Sequence, residues 1–168
     1  VGIVGGRSLE HLLIKVSPKD KYEKLNEILY TFLELADPSK IAIIFVNNMD
    51  TAEWLDKQLY EVHRNVGALH GNLCQAEFEK NLTRFRTGEI NVMVAKDVAA
   101  RGLNMQNVSL IVNYDFPRDI EVYVYRIGCA GRIKNKGKSI TFVAVNDLDS
   151  DSMLENLDLK AMQDARPK

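Results

Sequence analysis

Four short runs dominated by β-branched apolar residues, Ile41–Val46, Asn91–Ala95, Leu110–Tyr114 and Ser139–Val145, constrain the fold more than any other feature of this chain. Apolar runs without polar alternation suit strands buried on both faces, and such strands belong to parallel sheets covered by helices. Leu12–Val16 and Val66–Leu69 read as two further strands. Between them apolar residues recur at helical spacing. Tyr22, Leu25, Ile28, Leu29, Phe32 and Leu35 form one such face, stopped by Pro38. Ala52, Leu55, Leu59 and Val62 form a second, with Asp50 as the expected N-cap. Phe78, Leu82 and Phe85 mark a third, ending near Gly88, and Ile120, Tyr123, Ile127 and Ala130 a fourth, after Pro117. A last helix is expected around Asp151–Met162.

Strands alternating with helices imply right-handed βαβ units, hence an α/β fold with a parallel sheet of about six strands sandwiched between helices. Ligands of such folds bind at the carboxyl ends of the strands, so the loops after Val46, Leu69, Ala95, Tyr114 and Val145 are the first candidates. None of them contains a glycine-rich phosphate cradle of either common pattern. Gly2, Gly5 and Gly6 suggest a flexible lead-in, and the closing Ala-Arg-Pro-Lys a frayed tail.

At 168 residues the chain fits one domain, and with 46% apolar residues it can build a core without staples. Cys74 and Cys129 are far apart and fit no zinc or CxxC pattern, which favours a reducing setting. No apolar run approaches the roughly 20 residues of a membrane helix. The net charge of −1, from 22 basic and 23 acidic residues, argues against a stand-alone nucleic-acid binder, which neutralises many phosphates. Any such contact must be local or shared with another domain.

Three segments at strand ends look unlike ordinary loops: Leu69–Glu89 (LHGNLCQAEFEKNLTRFRTGE), Val94–Met105 (VAKDVAARGLNM) and Tyr123–Arg132 (YVYRIGCAGR). In order and spacing they resemble motifs IVa, V and VI in the second lobe of DEAD-box RNA helicases. Ile43–Asn48 (IIFVNN) sits where motif IV belongs, and Asn113–Pro117 (NYDFP) is similar to the family's NYD.P. The opening VGIVGG resembles the interlobe joint of Vasa-like members, which makes residues 1–10 an interlobe linker and 11–168 the RecA-like domain.

The resemblance implies half of an enzyme. ATP and Mg2+ belong to the two-lobe protein, the metal held by the first lobe; ATP lies between the lobes, and RNA crosses both through its backbone. The implied partners are the N-terminal lobe of the same chain, RNA and a protein on the lobe surface, with no membrane. The implied setting is the cytoplasm, in perinuclear or germ granules. The second lobe supplies arginines to the γ-phosphate, an arrangement worth about 10³–10⁵ in rate. By position, Arg132 is the catalytic residue, and Asn104, Tyr125 and Arg132 face ATP. Asn48, His70, Gly71, Gln75, Lys96, Arg101 and Gly102 face RNA.

The departures cluster on those surfaces. Motif VI has Tyr125, Cys129 and Arg132 on one helical stripe where the family has His, Arg and Arg. A thiol cannot replace the forked, permanently charged guanidinium, so Cys129 is no arginine finger. Lys96 replaces a Thr, Asn104 an Asp and Phe78 an Arg, and the basic residues after motif IV have become Asn48-Met49-Asp50. Two readings follow: a helicase lobe with reduced ATPase and unwinding, or a pseudo-helicase lobe that mainly binds proteins. Individual residues have plainer alternatives. Arg132 could pair with helix carbonyls, Lys96 could be a solvated surface lysine, and His70 could position a turn. Phe78 could pack on its own core or anchor a partner, and Trp54 fits either the core or the surface.

Overall fold

The computed structural model describes residues 2–4, 7–35, 40–63, 65–69, 74–96, 108–131 and 137–144. Seven strands form one sheet: β1 (Gly2–Val4), β2 (Arg7–Lys15), β3 (Ile41–Val46), β4 (Val66–Leu69), β5 (Val92–Lys96), β6 (Val108–Asn113) and β7 (Gly137–Val143). Their order across the sheet is β1-β2-β7-β6-β3-β5-β4. Six strands run parallel, and β1 adds an antiparallel edge through pairs such as Gly2↔Leu9. The helices are α1 (Lys21–Leu35), entered through a 3-10 turn at Pro18–Asp20, then α2 (Met49–His63), α3 (Gln75–Arg86) and α4 (Ile120–Gly131).

β3 lies between β5 and β6, and all six of its residues are buried. Its side chains alternate between two cores, as the period of a strand requires. Ile41, Ile43 and Phe45 join one core with Phe85 of α3 and Tyr123 of α4. Ala42, Ile44 and Val46 join the other with Leu25 and Leu29 of α1 and Leu55 and Leu59 of α2. The expected two-faced covering is thus present, and the alternating burial is what made the run continuous in sequence.

Several expectations need correction. The segment containing the three leading glycines is not simply a loose lead-in, because Gly2–Val4 pairs with Arg7–Leu9. The strand read at Leu12–Val16 begins at Arg7; its first half, Arg-Ser-Leu-Glu-His, is mostly polar and so escapes a search for apolar runs. Asp50 is not the N-cap of α2. Asn48 holds that place, its Oδ1 accepting from the backbone N–H of Thr51 at 2.8 Å and from the Thr51 hydroxyl at 2.9 Å. Val62 continues the stripe of Ala52, Leu55 and Leu59 but stands in the last turn of α2 and faces solvent with 60% exposure. The helix expected at Asp151–Met162 lies outside the described residues.

Candidate functional site

The strand order reverses between β6 and β3: from β3 the chain goes out to β4 and back to β5 on one side, then crosses to β6 and continues to β7 on the other. Folds of this kind open a crevice at the carboxyl ends of the strands where the order reverses. Here a side chain of the protein itself occupies that place. Arg126 of α4 is fully buried, a position a guanidinium tolerates only when its donors are used. Its NH2 donates to Asn47 Oδ1 at 2.8 Å, and its NH1 to Asn113 Oδ1 at 3.2 Å and to the Asp115 carbonyl at 3.1 Å. Its charged plane lies 5.2 Å from the ring centre of Phe45, a cation–π contact with the floor of the site.

The acceptors are held from behind. Asn113 Nδ2 donates to the Thr141 hydroxyl at 2.9 Å, and Asn47 Nδ2 to the Phe116 carbonyl at 2.9 Å. The Asn47 backbone N–H donates to Asp115 Oδ2 at 2.8 Å, while Lys21 Nζ, at the start of α1, reaches Asp115 Oδ1 at 3.3 Å. Lys21 also stands 5.0 Å from the Tyr114 ring centre. Burial, with Asp115 and Tyr22 nearby, pushes the Tyr114 hydroxyl up to about 12. One network therefore ties the ends of β3 and β6 to α1 and α4.

The residues expected to face RNA are partly gathered on this rim. Lys96 closes β5 opposite Val46 in the register, two residues before Asn48, so Lys96 and Asn48 leave adjacent strand ends. Lys96 is part-exposed and Asn48 exposed, although the Asn48 carbonyl oxygen is committed to capping α2. Gln75 is exposed at the start of α3, with its amide donating to Glu79 Oε1 at 2.9 Å. Tyr125 is half-buried and packs against the core beneath α3 and α4. Phe78 packs against that same core from α3, which favours packing on its own core over a partner anchor. Trp54 is 46% exposed, edge-on to Tyr22 at 5.3 Å. His70, Gly71, Arg101, Gly102, Asn104 and Arg132 lie outside the described residues, as does the side chain of Cys129.

Reading by motif passed over Arg126, Asn47 and Asp115. The available signal was an arginine inside the otherwise apolar Ile120–Gly131, three residues after the core residue Tyr123 and hence on its face. At the end of β6, Asn113 and Asp115 supply acceptors for such a buried cation. The donor chemistry of this rim suits an anionic ligand better than a cation. Asp115 is taken by Lys21 and a backbone N–H, and among the described residues no three His, Cys, Asp or Glu side chains gather.

Residues 20–134 match the helicase conserved C-terminal domain family. The chain is 38% identical over 142 residues to the ATP-dependent RNA helicase DBP8 of Gibberella zeae, covering 84% of this chain and 25% of that protein. It is 36% identical over 167 residues to a vasa-like ATP-dependent RNA helicase of Penaeus vannamei, covering 98% and 23%. It thus spans about a quarter of the curated relatives it matches. The yeast DEAD-box splicing factor Prp28 superposes with a TM-score of 0.75 at 30% identity, covering 95% of this chain and 35% of that one. Dbp5 of S. cerevisiae, bound to RNA and ADP–beryllium fluoride, gives 0.75 at 29% identity, covering 99% and 42%. With its fold, its motif order and these likenesses together, the chain belongs to the helicase conserved C-terminal domain family, as the C-terminal RecA-like lobe of a DEAD-box RNA helicase with Vasa-like proteins among its relatives.

Proposed function

We propose that this lobe serves an ATP-dependent RNA helicase of weakened turnover, facing ATP with Arg132 and RNA with the rim of Asn48, Gln75 and Lys96. The observation that carries the reading is the shared rim: Lys96 and Asn48 leave neighbouring strand ends, and Arg126 ties that rim to the helix leading to Arg132. Lys96 meets a phosphate as a point charge, which suits backbone contact without sequence preference. His70, Gly71, Arg101 and Gly102 complete the RNA surface. Asn104 and Tyr125 join Arg132 toward ATP, with Mg2+ held by the first lobe. Bound ATP supplies the phosphoryl group for hydrolysis, and the arginine stabilises the charge that develops on it. Residues 1–10 join the lobes, and the protein works in the cytoplasm, in perinuclear or germ granules.

A second reading, a pseudo-helicase lobe that recruits proteins, draws on one observation. Tyr30 of α1 and Trp54, Tyr60 and Val62 of α2 are all exposed large apolar residues. Steady-state ATPase assays on the full-length protein, with and without single-stranded RNA, separate the two. Turnover stimulated by RNA is expected. Nucleotide binding without turnover at any RNA concentration overturns the enzyme in favour of the recruiting lobe.

A further inference from the structure

We infer that Arg126 and Asn47 are positioning residues that couple nucleotide binding to RNA binding, by fixing the loop after β3 to α4. The inference rests on the helicase reading above and adds to it a specific route between the two ligands.

Asn47 stands at the centre of the route. Its Oδ1 accepts from Arg126 at 2.8 Å, its Nδ2 donates to Phe116 O at 2.9 Å, and its backbone N–H donates to Asp115 at 2.8 Å. Both ends of its side-chain amide are thus engaged within the protein, which makes it a poor ligand contact and a good tether. The next residue, Asn48, begins the exposed rim and caps α2. On the other side, Arg126 lies on α4 next to Tyr125 and shares its rigid helix with the backbone of Cys129.

A fully buried guanidinium has two arrangements at most: bonded as found, or withdrawn with its acceptors unpaired. The second is costly, because the guanidinium and Asn113 are fully buried and would be left without their bonds. A displacement of α4 by nucleotide must therefore carry Asn47, and with it the start of the Asn48 loop. Asn113 at the end of β6 and the Asp115 carbonyl just beyond it hold the same guanidinium, and Lys21 holds the Asp115 carboxylate from α1.

The test uses the full-length protein and binding alone, so it does not depend on turnover. Affinity for fluorescent single-stranded RNA is measured by anisotropy with and without ADP–beryllium fluoride, and nucleotide affinity is measured separately. In the unmodified protein the nucleotide analogue is expected to tighten RNA binding about tenfold, within the ordinary range for coupled sites. Asn47→Leu should leave RNA affinity without nucleotide, and nucleotide affinity without RNA, within about twofold, while the enhancement falls to near unity. Asn47→Asp, which keeps an acceptor for Arg126, should retain most of it. If leucine at 47 prevents folding, Asn47→Ser, too short to reach Arg126, carries the same comparison. An enhancement that survives Asn47→Leu or Asn47→Ser overturns the coupling role. So does a loss that tracks weaker binding of each ligand alone, since that marks a merely structural part. Failure of the helicase reading is visible in the unmodified protein by itself, as the absence of any enhancement, and it removes the coupling role with it.

Discussion

A buried arginine is the least legible feature of this chain and the one that organises its site. Helical periodicity assigns Tyr123 to the core and says nothing of a cation three residues later, because burial of charge is decided by partners from other elements. Arg126 becomes tolerable only once Asn47 and Asn113 are adjacent, and that adjacency is a property of the sheet order. For Arg132 and Cys129, by contrast, the motif is the whole basis of the proposed roles, which lead to a linked expectation. In the full-length protein Arg132→Ala should nearly abolish turnover, a loss of about 3 kcal/mol or more of barrier stabilisation. Cys129→Arg should raise turnover by restoring a bidentate charged donor on the same stripe. Single-turnover rates of both variants check this, and indifference to both would show that the surface is not catalytic. A pH effect belongs to this scale too. Burial holds the His63 imidazole below its usual 6.5, and its Nε2 lies 3.0 Å from Asn26 Oδ1. The unfolded chain therefore binds the proton more readily, so this contribution to stability is present above pH 6.5 and is lost as pH falls through the depressed value. His63→Gln should flatten that slope in urea titrations between pH 7 and 5, where the unmodified protein declines.

Among the elements, the buried strands could be read from sequence within a residue or two, because β3, β5 and β6 have no solvent face to interrupt their apolar runs. β1, at the edge, could not, since edge strands are not obliged to be apolar, and of β2 only the apolar second half was legible. Caps were read unevenly. Gly88 ends α3 as expected and has a φ of +82°, a conformation that disfavours side chains. Asp50 is a reasonable start for α2 in sequence, but two asparagines precede it, and only geometry distinguishes the one that bonds Thr51. Asn48→Ala should lower stability by about 1 kcal/mol through that lost cap. Chemical denaturation of the lobe measures it, and an unchanged midpoint with unchanged slope would show the cap to be idle. The free edge of β4 is guarded by Asn81, whose Nδ2 donates to the Ala68 carbonyl at 2.9 Å. That bond occupies an acceptor which an exposed edge would otherwise offer to another strand.

For the molecule as a whole, fold class and family were legible in the alternation of elements and the order of motifs. The departures from the family's charged motif positions were legible too. Purified residues 1–168 should hydrolyse no ATP, because they contain no Walker A loop. With a net charge of −1, they should bind single-stranded RNA weakly, without sequence preference, and lose that binding as salt rises. Anisotropy across a salt series tests this; submicromolar binding that resists salt would contradict it. The pairing of β2 with β7 has a consequence in time. Leu9 lies opposite Gly137 and Lys15 opposite Val143, so a strand made among the first must wait for one made among the last. On a ribosome β2 can meet its parallel neighbour only after nearly all the intervening sequence has emerged. The loop closed by that pairing is the longest in the sheet, so its entropy falls late in folding. Until then β6 has lost its β7 neighbour as well, and the half-built sheet shows an open apolar flank. The growing chain is therefore most exposed to sticking just before β7 emerges, and β7 acts as the clasp that closes the described sheet.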